Sequence, residues 1–146
     1  MSKKSTTPDL VELGSRFLEA ANRRDLDAMQ RFFASDAVVE NMGALGTFEG
    51  AAAIRGFWQD WFASYEELRV EREEGLDLGN GVVFAVVNQK AQLVGSSSSS
   101  EIRHRNAVVM VWVDGLIERA TFYSASSSAD IDQARAAAER LAESRE

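Results

Sequence analysis

The 146-residue chain has no cysteine and a single histidine, His104. Without cysteine the protein has no disulfide, no thiol nucleophile and no thiolate ligand for zinc or an iron–sulfur cluster. One histidine cannot form a multi-histidine metal centre, so we expect neither a metal nor an organic cofactor. A chain without cysteine is also compatible with a reducing compartment, and we therefore expect a cytoplasmic protein.

Long apolar runs are absent as well. No segment reaches the roughly 18 apolar residues of a membrane-spanning helix, and no apolar core follows the N-terminal lysines as in a secretory signal. We therefore expect no membrane partner. The 23 acidic residues outnumber the 16 basic ones, which gives a net charge of -7. Because this negative field repels phosphate backbones, we do not expect a nucleic-acid partner.

What is present is the composition of one folded domain. Hydrophobic residues make up 45% and charged residues 27% of the chain, and a domain of this length buries enough surface to fold without covalent staples. We interpret residues 1–146 as a single domain with a flexible tail over 1–6. Two serine-rich segments, 95–100 and 125–129, are predicted to be loops.

Apolar periodicity predicts four helices and five strands. Thr7 and Pro8 indicate a helix start, with a hydroxyl cap followed by proline at the first helical position. Asn-Gly at 80–81 and Asp-Gly at 114–115 are hairpin signals. This order is typical of an α+β fold, in which helices pack on a curved antiparallel sheet. The predicted helices cover 8–22, 26–33, 51–62 and 131–144, and the predicted strands cover 37–42, 68–78, 82–94, 102–113 and 116–123.

Three stretches of the chain carry a family resemblance. They read Asn-Arg-Arg-Asp-Leu-Asp-Ala-Met at 22–29, Phe-Ala-Ser-Asp-Ala-Val-Val-Glu-Asn-Met at 33–42 and Phe-Glu-Gly-Ala-Ala-Ala-Ile-Arg-Gly-Phe-Trp at 48–58. With them the chain resembles the nuclear transport factor 2-like superfamily, in its SnoaL-like branch, over nearly its whole length. The resemblance implies a cone, in which the curved sheet wraps around the N-terminal helices and encloses a pocket. The superfamily also contains ketosteroid isomerases and limonene epoxide hydrolases, so it does not by itself imply one reaction.

The same resemblance assigns functional positions, and most of them hold residues without the required chemistry. The proton-shuttling aspartate of the isomerases corresponds to Asn41, their oxyanion-holding tyrosine to Phe17 and their second acid to a position near Val108. None of these three side chains can transfer a proton at neutral pH. The hydrolases' strand tyrosine corresponds to Val39, and one of their aspartates corresponds to Phe122. We therefore expect no isomerisation of Δ5-ketosteroids and little hydrolysis of limonene oxide.

Asn41 and His104 are the candidate catalytic residues. Asn41 stands at the family's reactive position, where it would orient a ligand oxygen or a water; otherwise it would bond the glycine-rich loop that follows. His104 is the only side chain that exchanges protons near neutral pH without special tuning, but a rim position would leave it solvated. The predicted ligand pocket comprises aromatic helix positions and inward strand positions: Phe17, Val39, Trp58, Trp61, Gln89, Asn106, Val108, Met110, Glu118 and Phe122.

Two functions remain open at this point. The first is a protein that binds a small hydrophobic ligand in an apolar pocket without converting it. The alternative is a cofactor-independent isomerase, cyclase or hydrolase that acts on a hydrophobic, oxygenated small molecule. An acid–base pair that points into the pocket would favour the enzyme over the binding protein. Strand alternation offers one such pair, Glu118 with His104. The charged residues of the strand over 68–78, Arg72 among them, are interpreted as a solvated face.

The strand over 102–113 is apolar on both faces between Ala107 and Val113. A sheet with one solvated face alternates apolar with polar residues, and an uncovered outer row of Val109 and Val111 would expose a large apolar patch. The alanines of the terminal helix offer little bulk to cover it. We therefore predict a homodimer in which two sheets pack through their outer faces.

Overall fold

A computed structural model describes residues 9–42, 46–95 and 101–145. It confirms an α+β fold, with one curved, open sheet and helices on its two faces. The predicted tail and most of the first serine-rich segment lie outside the described residues. The elements are α1 Leu10–Asn22, α2 Leu26–Gln30, β1 Phe33–Asn41, β2 Gly46–Glu49, α3 Ala51–Ser64, β3 Tyr65–Gly79, β4 Val82–Leu93, β5 Ile102–Val113, β6 Leu116–Ser124 and α4 Ser128–Ser144.

The strand order is β2-β1-β6-β5-β4-β3. The pairs from β3 to β6 are antiparallel, as predicted, but β1 lies parallel to β6. Between these two strands the chain crosses to the far edge of the sheet and returns, and no local turn signal reports such a distant pairing. The strand over 46–49 was also not predicted, because its flanking glycines indicate turns. The second helix ends earlier than predicted, because the backbone N–H of Ile117 already pairs with the Phe32 carbonyl at 2.7 Å.

The hairpin between β3 and β4 requires glycine. Asn80 and Gly81 both have positive φ angles, of 56° and 82°, as a tight two-residue turn needs. A Cβ atom at position 81 would lie 2.4 Å from the Trp112 carbonyl oxygen. The second predicted hairpin follows the same rule, with φ angles of 52° at Asp114 and 80° at Gly115.

Helix α1 is fixed to the edge strand β3 on the inner face of the sheet. Asp9 caps it by accepting from the backbone N–H groups of Val11 and Glu12, whereas the predicted cap, Thr7, lies outside the described residues. At the other end, the Asn22 amide both donates to the Val70 carbonyl at 2.9 Å and accepts from the Val70 N–H at 2.8 Å. These bonds satisfy backbone groups at the sheet edge, and they fix where the helix crosses the sheet.

Helix α4 covers the outer face of β4 and β5, which corrects the basis of the homodimer prediction. Its small residues bring its backbone close to the sheet, so that Val109 and Val111 are only 5% and 3% exposed within a single chain. Alanine was expected to cover too little, but a helix with a smooth alanine face approaches a sheet closely and excludes water with its own backbone. This second core comprises Val82, Phe84, Val86, Ala107, Val109, Val111, Ala125, Ile131, Ala134, Ala138 and Ala142.

Candidate functional site

A cavity of about 480 Å³ lies between α1, α3 and the inner face of the sheet. Its volume falls within the range of small-molecule sites, which is roughly 300–1,000 Å³. Its walls are mainly apolar, and all three tryptophans of the chain contribute to them. The ring-bearing residues of the lining are Phe17, Phe48, Phe57, Trp58, Trp61, Tyr65, His104, Trp112 and Phe122.

Trp58 stands at the centre of the aromatic wall. Its ring centroid lies 5.8 Å from that of Phe17, 4.9 Å from Phe57, 5.3 Å from Trp61 and 6.0 Å from Phe122. All four contacts are edge-on, the arrangement that aromatic quadrupoles favour. The helix α3 therefore presents a rigid aromatic surface, and the predicted pocket residues of α1, α3 and β6 come together around one indole.

The polar lining residues gather where β1, β4 and β6 end and β5 begins. His104 pairs with Gln89 across β5 and β4, and Asn106 pairs with Ser124 of β6. Asn41 lies one residue before the end of the described segment 9–42, opposite Phe122. The structure therefore brings Asn41, His104, Asn106 and Gln89 to one end of the same cavity. His104 is exposed at this end, while Asn41 and Asn106 are half-buried.

Two buried polar groups of the lining, the indole N–H groups of Trp58 and Trp112, have no hydrogen-bond partner in the part of the chain that the structure describes. Gln89, also in the lining, is 6% exposed. An unsatisfied buried donor or acceptor costs about 1–3 kcal/mol, so this lining favours a ligand that carries hydrogen-bonding oxygen atoms.

Two predicted pocket residues do not line the cavity. Val39 is fully buried in the inner core, packed beneath the lining. Glu118 is exposed, because a β-bulge separates the pairs Val111–Arg119 and Trp112–Ile117 and leaves Glu118 as the extra residue. A bulge resets the alternation of faces, so the parity that links Glu118 to the inward residues of β6 ends before it. The predicted pairing of Glu118 with His104 is therefore wrong.

Arg72 is a lining residue that the sequence interpretation placed on the solvated face. Its strand alternation with the inward residues Leu68 and Val70 would have identified it. Its Nη1 donates to the Val11 carbonyl oxygen of α1 at 2.8 Å. Among the described residues Asp60, exposed on α3, is the one carboxylate of the lining, so the cavity contains neither a buried carboxylate nor an inward acid–base pair.

The acidic side chains next to Arg72 belong to the outer face. Glu73 contacts the Arg105 guanidinium and accepts from the Asn88 amide at 2.9 Å. The hydrogen bond from Arg105, followed by that from Asn88, lowers the pKa of Glu73 below its usual value. Glu74 pairs with Arg135 of α4 at 3.0 Å. The acidic side chains of this part of the outer face are therefore neutralised by arginines.

No group of three or more histidine, aspartate or glutamate side chains lies close enough to hold a metal ion within the described ranges. No helix there is both long and apolar enough to cross a membrane. Apart from the exposed carboxylate of Asp60, the polar lining residues are amides, hydroxyls, one imidazole and one guanidinium, a set suited to recognising oxygen atoms of an organic ligand.

The chain is similar to known proteins in family and in fold. Residues 15–120 match the model of the SnoaL-like domain family. No curated protein matches the chain. Among solved structures it is similar to a hypothetical protein from Catenulispora acidiphila with a ketosteroid isomerase-like fold, in complex with trimethylamine. The two share 18% identity and a TM-score of 0.71, over 84% of this chain and 90% of that one.

Two further solved structures share this fold. One is an NTF2-like protein of unknown function from Burkholderia pseudomallei, with 16% identity and a TM-score of 0.71, over 88% of this chain and 97% of that one. The other is SalBIII, an epoxide hydrolase/cyclase-like enzyme with a role in pyran ring formation in the polyether salinomycin. It shares 17% identity and a TM-score of 0.69, over 79% of this chain and 89% of that one.

Proposed function

Because the chain belongs to the SnoaL-like domain family, we propose that it binds a small, largely apolar molecule in the cavity between α1, α3 and the sheet. The observation that carries the proposal is the lining itself, in which aromatic side chains surround the cavity and the buried indole N–H groups of Trp58 and Trp112 have no partner among the described residues. Apolar walls with a few convergent polar groups are the usual composition of a ligand site. The expected ligand is therefore a ring-bearing molecule with one or two oxygen-containing groups.

The polar end of the cavity supplies the contacts to those oxygen atoms. Asn41 and Asn106 each offer both a donor and an acceptor, and Gln89 offers the same from a buried position. His104, exposed at the end of the cavity, is suited to contact the more solvated part of the ligand. In this proposal Asn41 and His104 orient the ligand, and the aromatic residues of α3 provide most of the buried contact area.

A second candidate is a cofactor-independent isomerase, cyclase or hydrolase acting on such a molecule. The observation that favours it is His104, because an imidazole beside a cavity can transfer a proton to or from a bound oxygen atom. The lack of a buried carboxylate in the described lining favours binding over catalysis, since an imidazole base is usually oriented by a carboxylate. Δ5-ketosteroid and limonene oxide remain poor candidate substrates, because Phe17, Asn41, Val108 and Phe122 all line the cavity.

The proposal requires only one copy of the chain, because every lining residue named here comes from it. The homodimer was predicted because the outer face of the sheet was expected to be uncovered. Since α4 covers that face, this argument no longer supports the homodimer, which stays a prediction. Its test is the mass in solution by light scattering at low micromolar concentration. A mass of 16.1 kDa would contradict it.

The cavity is tested with N-phenyl-1-naphthylamine, a neutral apolar dye whose fluorescence rises in a dry environment. We expect wild type to bind one dye per chain and Ala85→Phe to weaken binding, because Ala85 lines the cavity and a phenyl group there takes up part of its space. Ala63→Phe, on the exposed surface of α3, is the matched control and should bind as wild type does. Absence of binding to wild type, or unchanged binding in Ala85→Phe, would contradict the proposal.

A further inference from the structure

Arg72 is a cation of the cavity lining that has no acidic partner within residues 9–42, 46–95 and 101–145. The five ion pairs among the described residues do not include it, and its one hydrogen bond there goes to a neutral acceptor, the Val11 carbonyl oxygen. A guanidinium has five N–H donors, so one bond leaves most of them unused. The side chain is half-buried, which reduces the access of water to these donors.

The missing partner is not explained by a shortage of nearby acid. Glu71, Glu73 and Glu74 surround Arg72 in the sequence, but strand alternation turns Glu71 to the outer face. A β-bulge at Glu73, between the pairs Arg72–Val87 and Glu74–Val86, then turns the next two acids outward as well. There Glu73 and Glu74 neutralise Arg105 and Arg135. The chain thus removes every adjacent carboxylate from the cavity and leaves the guanidinium inside.

The neighbourhood also leaves room for the Arg72 side chain to lie along the wall. A Cβ atom at position 75 would stand 3.0 Å from Arg72 Cδ and 3.1 Å from Nε, which is closer than side chains normally pack. Glycine at this position therefore accommodates the arginine stem, while the Val11 carbonyl orients the guanidinium. Both features fix the cation in place beside the cavity.

From this geometry we infer that the ligand is an anion with a carboxylate that pairs with Arg72. The inference rests on the proposed binding function and specifies its ligand class. A planar two-oxygen anion matches the fork of a guanidinium, and charge-assisted bonds of this kind are about twice as strong as neutral ones. The strands place the second anchor: Arg72 pairs with Val87 and Val87 with Asn106, so Arg72 and Asn106 are two strand spacings apart, roughly 10 Å. The ligand therefore spans the cavity from an acidic group at Arg72 to an uncharged oxygen at the amide end.

The test compares two probes of the same shape, biphenyl-4-carboxylate and biphenyl-4-carboxamide, by isothermal titration calorimetry at pH 7.5. The readout is the ratio of the two dissociation constants within one variant, which cancels any loss of folded protein. For wild type we expect the acid to bind about tenfold or more tightly than the amide, the value of a charge-assisted bond in a partly dry site. In Arg72→Gln, which keeps a donor for the Val11 carbonyl, the ratio should fall to about one.

Asn22→Ala is the matched control. It removes another tie between α1 and β3 but leaves the guanidinium in place, so the ratio should remain that of wild type. Equal binding of acid and amide to wild type, or an unchanged ratio in Arg72→Gln, would overturn the assignment of Arg72 while leaving the proposed binding function intact. A fall of the ratio in Asn22→Ala equal to that in Arg72→Gln would also overturn it, because helix placement would then explain both. Failure of wild type to bind either probe would overturn the binding function as well.

Discussion

The two faces of the sheet differ in how they are covered: the outer face is closely packed, and the inner face encloses a cavity. On the outer face, α4 packs onto valine and phenylalanine side chains and leaves them less than a tenth exposed. The charged residues beyond that contact form pairs, such as Glu73 with Arg105 and Glu40 with Arg119. On the inner face, α1 and α3 leave a cavity of about 480 Å³. Among the described residues, the buried indole N–H groups of Trp58 and Trp112 in its lining have no hydrogen-bond partner, and Arg72 has no ion-pair partner.

This difference indicates which face carries function. Folded proteins pair nearly all buried polar groups, so the exceptions call for an explanation. The protein forms ion pairs on the outer face. With 23 acidic residues, its composition would also allow an ion pair for the cation of the inner face. Among the described residues, two of the three exceptions are the indole N–H groups of Trp58 and Trp112, where a ligand in the cavity would complete them; the third is Nε of Arg135, whose guanidinium already pairs with Glu74 on the outer face. Sites that break local stability rules are often functional.

The largest effect is expected from a charge beneath α4. Val109→Glu should lower the free energy of unfolding by about 3 kcal/mol or more, because a buried carboxylate without a partner is strongly destabilising. Val113→Glu is the matched control, since it lies on the same strand and face but is 37% exposed. Urea unfolding measures both. A Val109→Glu midpoint equal to that of wild type would show that α4 does not seal the outer face.

A smaller effect on the free energy of unfolding should distinguish the closely packed outer face from the inner face with its cavity. Ala138→Leu enlarges a fully buried residue at the α4 contact, and overpacking there should cost about 1–3 kcal/mol. Ala85→Leu adds the same atoms toward the cavity, and we expect a change of less than about 1 kcal/mol in either direction. Urea midpoints compare the two variants. Equal losses would contradict the claim that only the inner face has free space.

The smallest effect concerns acid stability of the outer face. Hydrogen bonds from Arg105 and Asn88 lower the pKa of Glu73 below its usual 4.5, so folding favours its charged form. Its contribution to stability is then full above about pH 4.5 and is lost as the pH falls through the lowered pKa. Glu73→Gln should lose slightly less stability than wild type between pH 6 and pH 3, measured as urea midpoints. Glu67→Gln, an exposed change on the same strand, should show the pH dependence of wild type. If Glu73→Gln shows that same pH dependence, the Glu73 carboxylate does not contribute to stability in this way.

Local sequence signals predicted the elements that depend on local chemistry. Asn80-Gly81 and Asp114-Gly115 specify tight turns, so the hairpins and the strands around them were predicted within a few residues. Strand alternation also grouped Val108 and Met110 on one face, and the family resemblance predicted that this face points inward; both residues line the cavity. The family model and the structural neighbours confirm the fold that the resemblance implied.

What the sequence did not predict depends on bulges and on distant packing. A bulge at Glu118 moved that residue to the exterior. Arg72 was misplaced for a different reason: it was grouped with the acids around it, although its own alternation with Val70 pointed inward. The cover by α4 was missed because the size of an alanine side chain does not report how closely a helix backbone can approach a sheet. The roles of the candidate site residues remain predictions.

The central claim is that the inner face, and not the outer one, takes up a small molecule. All three tryptophans line the cavity, so fluorine NMR of protein labelled with 5-fluorotryptophan observes that face alone. Saturation with N-phenyl-1-naphthylamine should shift the resonances of Trp58, Trp61 and Trp112, because an aromatic ligand in the cavity alters the magnetic environment of each ring. Dye binding detected by fluorescence with all three resonances unchanged would place the ligand elsewhere on the molecule and contradict the account.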